Sequence, residues 1–353
     1  MSDLLSRTIG MIAPLDEVAM AGARARQETL TKPRGSLGKL EELSIQLAGI
    51  QGRLVPRIKH KAVFTLASDH GVVAEGVSAY PQEVTAQMVA NFLDGGAAIN
   101  IIARQSGASV IVVDMGVAAG LEPGPRLLSR RIALGTRNMT KGPAMSPDEA
   151  VRAIETGIDI VGLEVARGLD VLGTGDMGIG NTTASSSICA VMTGKPVAEV
   201  TGGGTGVSDE QLDRKIEVIN RALAINRPDP TRPVDVLAKV GGFEIGGLAG
   251  IMLGAAAHRL PVVIDGFVSG AAALIAAALA PGLKGYLIAA HVSAEPGHRL
   301  MLRHLGLEPL LDFKMRLGEG TGAALGLFLA EVAARILGEM STFTQAGVSE
   351  RET

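Results

Sequence analysis

Cysteine and tryptophan are scarce in this 353-residue sequence, which contains one cysteine, Cys189, and no tryptophan. A single thiol excludes a disulfide within the chain and any zinc site built from several cysteines. The apolar neighbours of Cys189 favour an inert, buried side chain. Aromatic residues are also few, with two tyrosines and seven phenylalanines. Stacking platforms of the kind that bind single-stranded nucleic acid are therefore not expected.

The sequence also lacks an excess of charge of one sign, since 33 basic and 36 acidic residues give a net charge of −3. This balance argues against nucleic acid or an anionic membrane as the main partner. The N-terminus does not have the charged segment and apolar core of a secretory signal. The longest apolar stretch, 266–280, is too short to span a bilayer. We expect a soluble protein of the reducing cytoplasm.

Glycine, in contrast, is abundant, at 46 of 353 residues, nearly twice the usual share of about 7%. The glycines follow no Gly-X-Y period. We therefore expect them in turns where the backbone approaches a neighbour or a ligand closely.

From residue 61 onward, short and continuously apolar runs alternate with helical patterns. Continuous runs are typical of strands buried on both faces of a parallel sheet. Their alternation with helices predicts an α/β domain, in which ligands bind beyond the carboxyl ends of the strands. The predicted strands are 62–67, 109–113, 169–172, 261–264 and 285–289.

Helical patterns fill the first 55 or so residues and recur between the strands. Ser36 is predicted to cap the helix that follows it, and Ser146 to begin a helix with a capping box and a first-turn proline. The tail after Leu337 is expected to pack with the N-terminal helices. Further helices are predicted from 81 to beyond 101, over 208–225 and over 323–337.

A glycine-rich segment directly after the predicted strand 169–172 matches the Gly-x-Gly-x-x-Gly dinucleotide fingerprint at residues 173–178. That fingerprint usually opens the first βαβ unit, whereas this one lies in mid-chain. Asp176 would also place a negative charge where a pyrophosphate binds. A loop that binds another ligand is favoured, because Asn181, Thr182 and Thr183 follow where a helix N-terminus can meet an anion. A nicotinamide-dependent dehydrogenase and a tight turn without ligand remain as alternatives.

Two more glycine clusters carry charged side chains. Exposed amides of the cluster 201–206 could form an anion site, to which Lys215 could fold back from the following helix; a solvated lysine is the alternative. Glu319 lies between Gly318 and Gly320 at a predicted strand-to-helix turn. Burial could raise its pKa towards neutrality, as a general base requires, or the residue could simply stabilise a helix start.

The six histidines do not have the spacing of a metal site, and no metal is expected. Asp69 and His70 end a predicted strand. They either form an acid–base pair or hydrogen-bond the loop backbone, and the second interpretation is favoured.

Ten segments, in order and over nearly the whole chain, resemble the nicotinate-nucleotide:dimethylbenzimidazole phosphoribosyltransferases of cobalamin biosynthesis. No single glycine loop has this specificity. The segments are KPRGSLGKLE (32–41), ASDHGV (67–72), YPQEVTAQMVANFLDGGAAIN (80–100), GTRNMTKGPAMS (135–146), GDMGIGNTT (175–183), TGGGTG (201–206), VIDGFVSGAAAL (263–274), HVSAEPGH (291–298), MRLGEGTGAAL (315–325) and STFTQAGV (341–348).

This resemblance implies a large α/β domain over 60–337, with a mostly parallel, Rossmann-like sheet flanked by helices, and a small helical domain built from 1–59 and 338–353. It implies a homodimer that needs no cofactor. The implied reaction transfers the phosphoribosyl group of nicotinate mononucleotide to 5,6-dimethylbenzimidazole, with inversion at the anomeric carbon, giving α-ribazole 5′-phosphate and nicotinate. A non-catalytic nucleotide-binding protein is a further alternative.

The resemblance also assigns roles to residues. Glu319 would be the general base. Family members often carry Glu at the position of Asp176, so a direct contact there could become water-mediated. The benzimidazole pocket would comprise Ser78, Tyr80, Gln87, Met88 and Leu317. The phosphoribosyl and nicotinate contacts would be Gly175, Asp176, Gly178, Asn181, Thr182, Gly202, Gly203, Gly204, Lys215, Asp265 and Ser293.

Overall fold

The computed structural model describes residues 2–121, 124, 126–204, 206 and 208–349. Within them, six parallel strands form one sheet in the order β3-β2-β1-β4-β5-β6. The strand order reverses between β1 and β4, and ligands of such sheets bind beside that reversal, at the carboxyl ends of the strands. The strands are β1 (Lys61–Ser68), β2 (Ala108–Gly116), β3 (Leu127–Ser129), β4 (Val171–Met177), β5 (Val262–Ile264) and β6 (Leu287–Ala289).

Helices connect and cover the strands, and two 3₁₀ helices lie at Gly71–Glu75 and Pro281–Tyr286. The α-helices are α1 (Asp3–Met11), α2 (Glu17–Thr29), α3 (Lys39–Gln51), α4 (Val84–Asp94), α5 (Ala98–Ser106), α6 (Pro147–Ala166), α7 (Asn181–Thr193), α8 (Val197–Val200), α9 (Asp209–Asn226), α10 (Pro233–Val240), α11 (Phe243–Ala257), α12 (Phe267–Leu279), α13 (Pro296–Leu305), α14 (Thr321–Glu339) and α15 (Phe343–Ala346).

Both faces of the sheet are buried, which explains the continuously apolar strands. Along β1, Phe64 and Leu66 point into the core layer formed with α6, α11 and α12, whereas Val63 and Ala67 point into the layer formed with α5 and α14. The α/β fold with a parallel sheet flanked by helices is thus confirmed.

Several predicted boundaries are wrong. Strand β4 continues to Met177, so Gly173 and Gly175 lie inside a strand and not in a turn after it. Gly285 belongs to a 3₁₀ helix and not to β6. The three-residue β3 was not predicted at all. Each error has the same origin, because strand length here is set by pairing with distant strands, which local composition does not reveal.

Two helix predictions also need correction. The pattern over 81–101 is two helices, α4 and α5, because Gly95 takes a left-handed conformation (φ 80°) and ends the first. Ser36 does not cap α3, since Gly38 occupies the cap position. Instead, the Glu41 carboxylate accepts the Leu37 N–H at 3.0 Å. The helices predicted to begin at Ser146 and Ser208 do begin there, each with a capping box.

Part of the glycine excess serves helix packing and not turns. Helices α6 and α11 are in close contact along their lengths. A methyl group added at Gly157 of α6 would overlap the Gly247 carbonyl of α11 and lie 2.7 Å from the Ile251 nitrogen. Glycine therefore allows the two backbones to touch.

This contact predicts opposite effects of one substitution at two places in α6. Gly157→Ala should lower the free energy of unfolding by about 1–3 kcal/mol, as overpacking does. Gly162→Ala should raise it slightly, because no atom lies within 4 Å of the added methyl group and alanine favours the helix. Chemical denaturation of both variants measures the difference, and equal stabilities would contradict the packing argument.

The two chain ends lie together. The Thr31 N–H donates to the Ser341 carbonyl at 3.0 Å, and Leu30 forms an isolated bridge with Thr342. Helix α14 is long and apolar enough to cross a membrane, but it packs on α3, α5 and β4 as a core helix. The division into residues 60–337 and a small domain from both ends stays a prediction.

Candidate active site

A cleft of about 620 Å³, its open mouth included, lies at the carboxyl ends of β4 and β5. It brings together residues from segments that are far apart in the sequence. Seven of the predicted site residues line it: Asp176, Gly178, Asn181, Thr182, Gly204, Ser293 and Leu317.

Asp176 and Asn181 form one polar pair of this cleft. Asp176 lies near the end of β4, and Asn181 opens α7 after the left-handed Gly180 (φ 93°). The Asn181 amide donates to Asp176 Oδ2 at 2.9 Å. Burial, followed by the charges of Asp265 and Glu244, raises the pKa of Asp176 well above its usual value. A positive charge placed beside this carboxyl group would lower its pKa and favour the carboxylate form.

Lys215 is buried against the second glycine cluster and does not lie on a solvated helix face. Its ammonium group donates to Thr182 Oγ1 at 2.8 Å and to the Gly202 carbonyl at 3.3 Å. Burial lowers its pKa to about 8, and the charge of Glu295 opposes that shift. Thr182 lines the cleft and Lys215 does not, so the ammonium group supports the cleft wall from behind. Thr205 of this glycine cluster lies outside the described residues.

Glu319 begins the turn into α14. The prediction of a strand directly before it is wrong, because residues 312–318 are irregular. Glu319 is not open to solvent either, with an exposure of 5%. Its Oε2 accepts the Ile99 N–H from the first turn of α5 at 3.2 Å. Burial raises the pKa of Glu319; the Ile99 hydrogen bond opposes this shift, and the nearby Asp265 adds to it. A carboxylate with a raised pKa suits proton abstraction near neutral pH.

The glycine inside β4 is explained by this loop. A methyl group at Gly175 would lie 2.8 Å from the Gly320 nitrogen and overlap the Glu319 carbonyl. The backbone of Glu319 can therefore rest directly on the strand. Of the other glycines that resembled a dinucleotide fingerprint, Gly173 faces the Ala323 side chain and Gly178 the Ser68 carbonyl, so all three serve close packing within the protein.

Asp265 follows β5 and is fully buried beneath the cleft. Its two carboxylate oxygens accept the N–H groups of Gly320, at 3.2 Å, and Ala323, at 3.0 Å. It is not among the residues that line the cleft. Its predicted contact with the ligand stays a prediction, as do those of Gly175, Gly202 and Gly203.

The predicted benzimidazole residues other than Leu317 do not line this cleft. Ser78, Tyr80, Gln87 and Met88 lie on or just before α4, and Tyr80 is 49% exposed. Helix α4 does border the cleft, since Thr85 Oγ1 accepts the Ile179 N–H at 3.1 Å. The convergence of the five residues on one ring stays a prediction.

Asp69 and His70 do not form an acid–base pair. Asp69 accepts the Ala118 N–H at 2.7 Å, which confirms the favoured interpretation that it hydrogen-bonds the loop backbone. His70 instead pairs with Glu244 of α11 at 2.8 Å, and both side chains are buried. The role of His70 as a ligand of loop backbone is therefore wrong. Within the described residues, no group of three or more His, Cys, Asp or Glu side chains is placed to hold a metal ion.

The sequence reasoning missed three charged residues of the cleft: Arg316, Glu295 and His291. Arg316 Nη1 donates to the Gly204 carbonyl at 2.7 Å and so links two walls. All three lie in the segments MRLGEGTGAAL and HVSAEPGH. The resemblance of these segments to the family was the one feature of the sequence that could have marked them as site residues. Isolated charges in irregular loops have no period that marks them.

Comparison with known proteins identifies the family of this chain. A family model described as Phosphoribosyltransferase matches residues 12–348. A nicotinate-nucleotide–dimethylbenzimidazole phosphoribosyltransferase of Desulforudis audaxviator is 61% identical over 348 residues, covering 99% of both chains. An enzyme of the same name from Roseiflexus sp. is 61% identical over 98% of both chains. The crystal structure of CobT from Thermus thermophilus matches with a TM-score of 0.91 and 51% identity, over 95% of this chain and 100% of that one. The chain therefore belongs to the nicotinate-nucleotide–dimethylbenzimidazole phosphoribosyltransferase family.

Proposed function

We propose that the protein transfers the phosphoribosyl group of nicotinate mononucleotide to 5,6-dimethylbenzimidazole, giving α-ribazole 5′-phosphate and nicotinate. The observation that carries the proposal is one cleft lined by Thr182 and Gly204, where Thr182 accepts a hydrogen bond from the buried ammonium group of Lys215 and where the adjacent loop carries the buried Glu319 carboxylate with its raised pKa. The names and full-length similarity of the relatives support the choice of substrates.

The phosphate of the donor would bind the glycine cluster and Lys215. Ammonium groups and backbone amides are the usual partners of a phosphate, and their hydrogen bonds are stronger when one partner is charged. Because Thr182 and the Gly202 carbonyl already hold the ammonium group, little side-chain entropy remains to be lost on binding.

The nicotinate ring is a pyridinium while it is bonded to the ribose. When that C–N bond breaks, the ring nitrogen keeps the electron pair and loses its positive charge, so the departure requires no acid. Positive charge then develops on the ribose, and Asp176 is the carboxyl group that lines the cleft beside Asn181. A cationic ring beside it favours its anionic form, which stabilises the developing charge. The incoming base attacks from the opposite face and inverts the anomeric carbon.

Glu319 would accept the ring proton of the incoming dimethylbenzimidazole. That N–H becomes acidic only as the other ring nitrogen bonds to carbon, so a base must already be in place. The raised pKa of Glu319 brings it closer to the pH at which the enzyme operates, which is where a general base is most effective. We further propose that the enzyme acts without a cofactor, as a homodimer, in the cytoplasm.

Free nicotinate is the product that separates this function from its alternatives. Mixing the protein with nicotinate mononucleotide and dimethylbenzimidazole should release nicotinate only when both are present. A nucleotide sensor would bind the donor and release nothing, and a dehydrogenase would instead change the absorption of a nicotinamide cofactor. Absence of nicotinate with both substrates present would overturn the proposal.

The pKa of about 8 at Lys215 predicts how donor capture depends on pH. Because burial favours the neutral amine, the ammonium charge of Lys215 is present below about pH 8 and is lost as the pH rises above that value. We expect kcat/KM for the donor to fall above about pH 8, since this ratio reports groups of the free enzyme. Lys215→Arg, which stays charged throughout this range, should move the fall to higher pH. An unchanged profile would remove Lys215 from donor binding.

A further inference from the structure

The backbone of Glu319 is held on three sides by neighbouring strands. Its N–H donates to the Asp176 carbonyl at 3.2 Å, and its carbonyl accepts the Thr65 hydroxyl at 2.9 Å. The N–H of the next residue, Gly320, donates to Asp265 at 3.2 Å. Strand β4, strand β1 and the residue directly after β5 thus each supply one contact to the peptide groups around this residue.

These contacts fix a conformation that glutamate rarely adopts by itself. Glu319 has φ 63°, in the left-handed region, which costs about 1–3 kcal/mol and persists only where the surroundings impose it. Asp265 is the one side chain among the three contacts that can be ionised, and it spans two amides of the turn, at Gly320 and Ala323. Loss of one carboxylate oxygen as an acceptor would remove one of the two bonds by which Asp265 holds the start of α14.

His291 stands behind Asp265. Its Nε2 lies 3.6 Å from Asp265 Oδ1, and both side chains are almost fully buried. Although burial alone would lower the pKa of His291, the carboxylate of Asp265 raises it above the usual value. When it is protonated, the imidazole of His291 balances the buried carboxylate of Asp265.

Side chains that can carry a charge approach Glu319 from three of the surrounding elements, and uncharged groups approach from the other two. Strand β4 places Asp176 near it, the residue after β5 is Asp265, and His291 follows β6 behind Asp265. Helix α5 contributes the Ile99 amide and β1 the uncharged Thr65. Asp265 is thus the carboxylate bonded to the turn that carries Glu319.

We propose that Asp265, backed by His291, is the positioning residue for the base, which it aims through the turn amides of Gly320 and Ala323. This inference rests on the proposed function, because it takes Glu319 as the base. It assigns Asp265 a task other than contact with the phosphoribosyl group.

The test compares kcat across pH for Asp265→Asn at saturating substrates, where titration of the free acceptor no longer contributes. Asparagine keeps the size but has one acceptor oxygen, and its NH₂ group would face a backbone N–H. We expect kcat to fall about 10- to 100-fold, as small misplacements of a catalytic group do, with both KM values little changed. Removal of the negative neighbour should also shift the acid limb to lower pH.

His291→Gln provides a second variant in case Asp265→Asn does not fold. It removes a positive charge, so the acid limb should shift in the opposite direction, to higher pH. A residue with a purely structural role would move neither limb.

Asp114→Asn is the matched control. Asp114 is also a buried aspartate near the end of a strand, accepts the Val117 N–H at 2.9 Å and pairs with Arg131 at 2.7 Å, but it does not line the cleft. We expect it to lower the Tm and to leave kcat and the acid limb unchanged.

The outcomes separate the two proposals. If Glu319→Gln is inactive while Asp265→Asn keeps the wild-type kcat or the wild-type acid limb, the positioning role is wrong and the reaction assignment stands. If Glu319→Gln turns over normally, the base assignment fails and the positioning role fails with it. Opposite limb shifts in the Asp265 and His291 variants would support the inference.

Discussion

Glu319→Gln is expected to lower kcat by about 10²- to 10⁴-fold, the usual contribution of a general base, while both substrates still bind. The amide has nearly the shape of the carboxylate, and its oxygen can still accept the Ile99 N–H. The amide cannot accept the ring proton, so the product ring would keep its positive charge as the new bond forms. Steady-state nicotinate release gives kcat, and calorimetric titration gives the two affinities.

Glu149→Gln is a suitable control for that variant. Glu149 also accepts a backbone N–H at a helix start, that of Ser146 at 2.6 Å, but it belongs to the capping box of α6 and does not line the cleft. Its replacement should leave kcat unchanged. Turnover of Glu319→Gln near the wild-type rate would falsify the base assignment.

Lys215→Met is expected to lower kcat/KM for nicotinate mononucleotide by about 10- to 150-fold. This range corresponds to the 1.5–3 kcal/mol of a hydrogen bond to a charged group. The side chain is 1% exposed, so methionine fills the same space without the charge. The KM of dimethylbenzimidazole should be unaffected, and initial rates with each substrate varied in turn measure both constants.

Lys61→Met separates the loss of a phosphate contact from the loss of a buried lysine. Lys61 is also buried, but it begins β1 at the opposite end of the sheet and pairs with Glu331. Its replacement should reduce stability without changing the donor constants. If Lys215→Met weakened donor and acceptor equally, the assignment of the phosphate site to Lys215 would be wrong.

The apolar strands buried on both faces of the sheet and the capping boxes at Ser146 and Ser208 could be predicted from the sequence, because each pattern is local. The apolar run of β1 and the capping box at Ser146 each lie within a few residues. The end of β4 could not be predicted, because Gly175 is a strand residue on account of Glu319, far along the chain. The helix glycines were misjudged for the same reason, since Gly157 contacts Gly247 of another helix.

The candidate site divides in the same way. Glu319 and Lys215 could be identified as candidates because glycine clusters mark where backbone and charge meet. The bond that holds the Glu319 turn, from the Gly320 N–H to Asp265, could not be predicted, because these two residues are 55 positions apart and meet only in the fold. The pairing of His70 with Glu244, 174 residues away, was hidden for the same reason.

The location of the bound acceptor tests the central claim most directly. A crystal structure with dimethylbenzimidazole should place one ring nitrogen about 2.6–3.2 Å from a carboxylate oxygen of Glu319, which is the reach of a general base. The other ring nitrogen should then face the ribose site beside Asp176 and Asn181. A ring bound with neither nitrogen near that carboxylate would contradict the account.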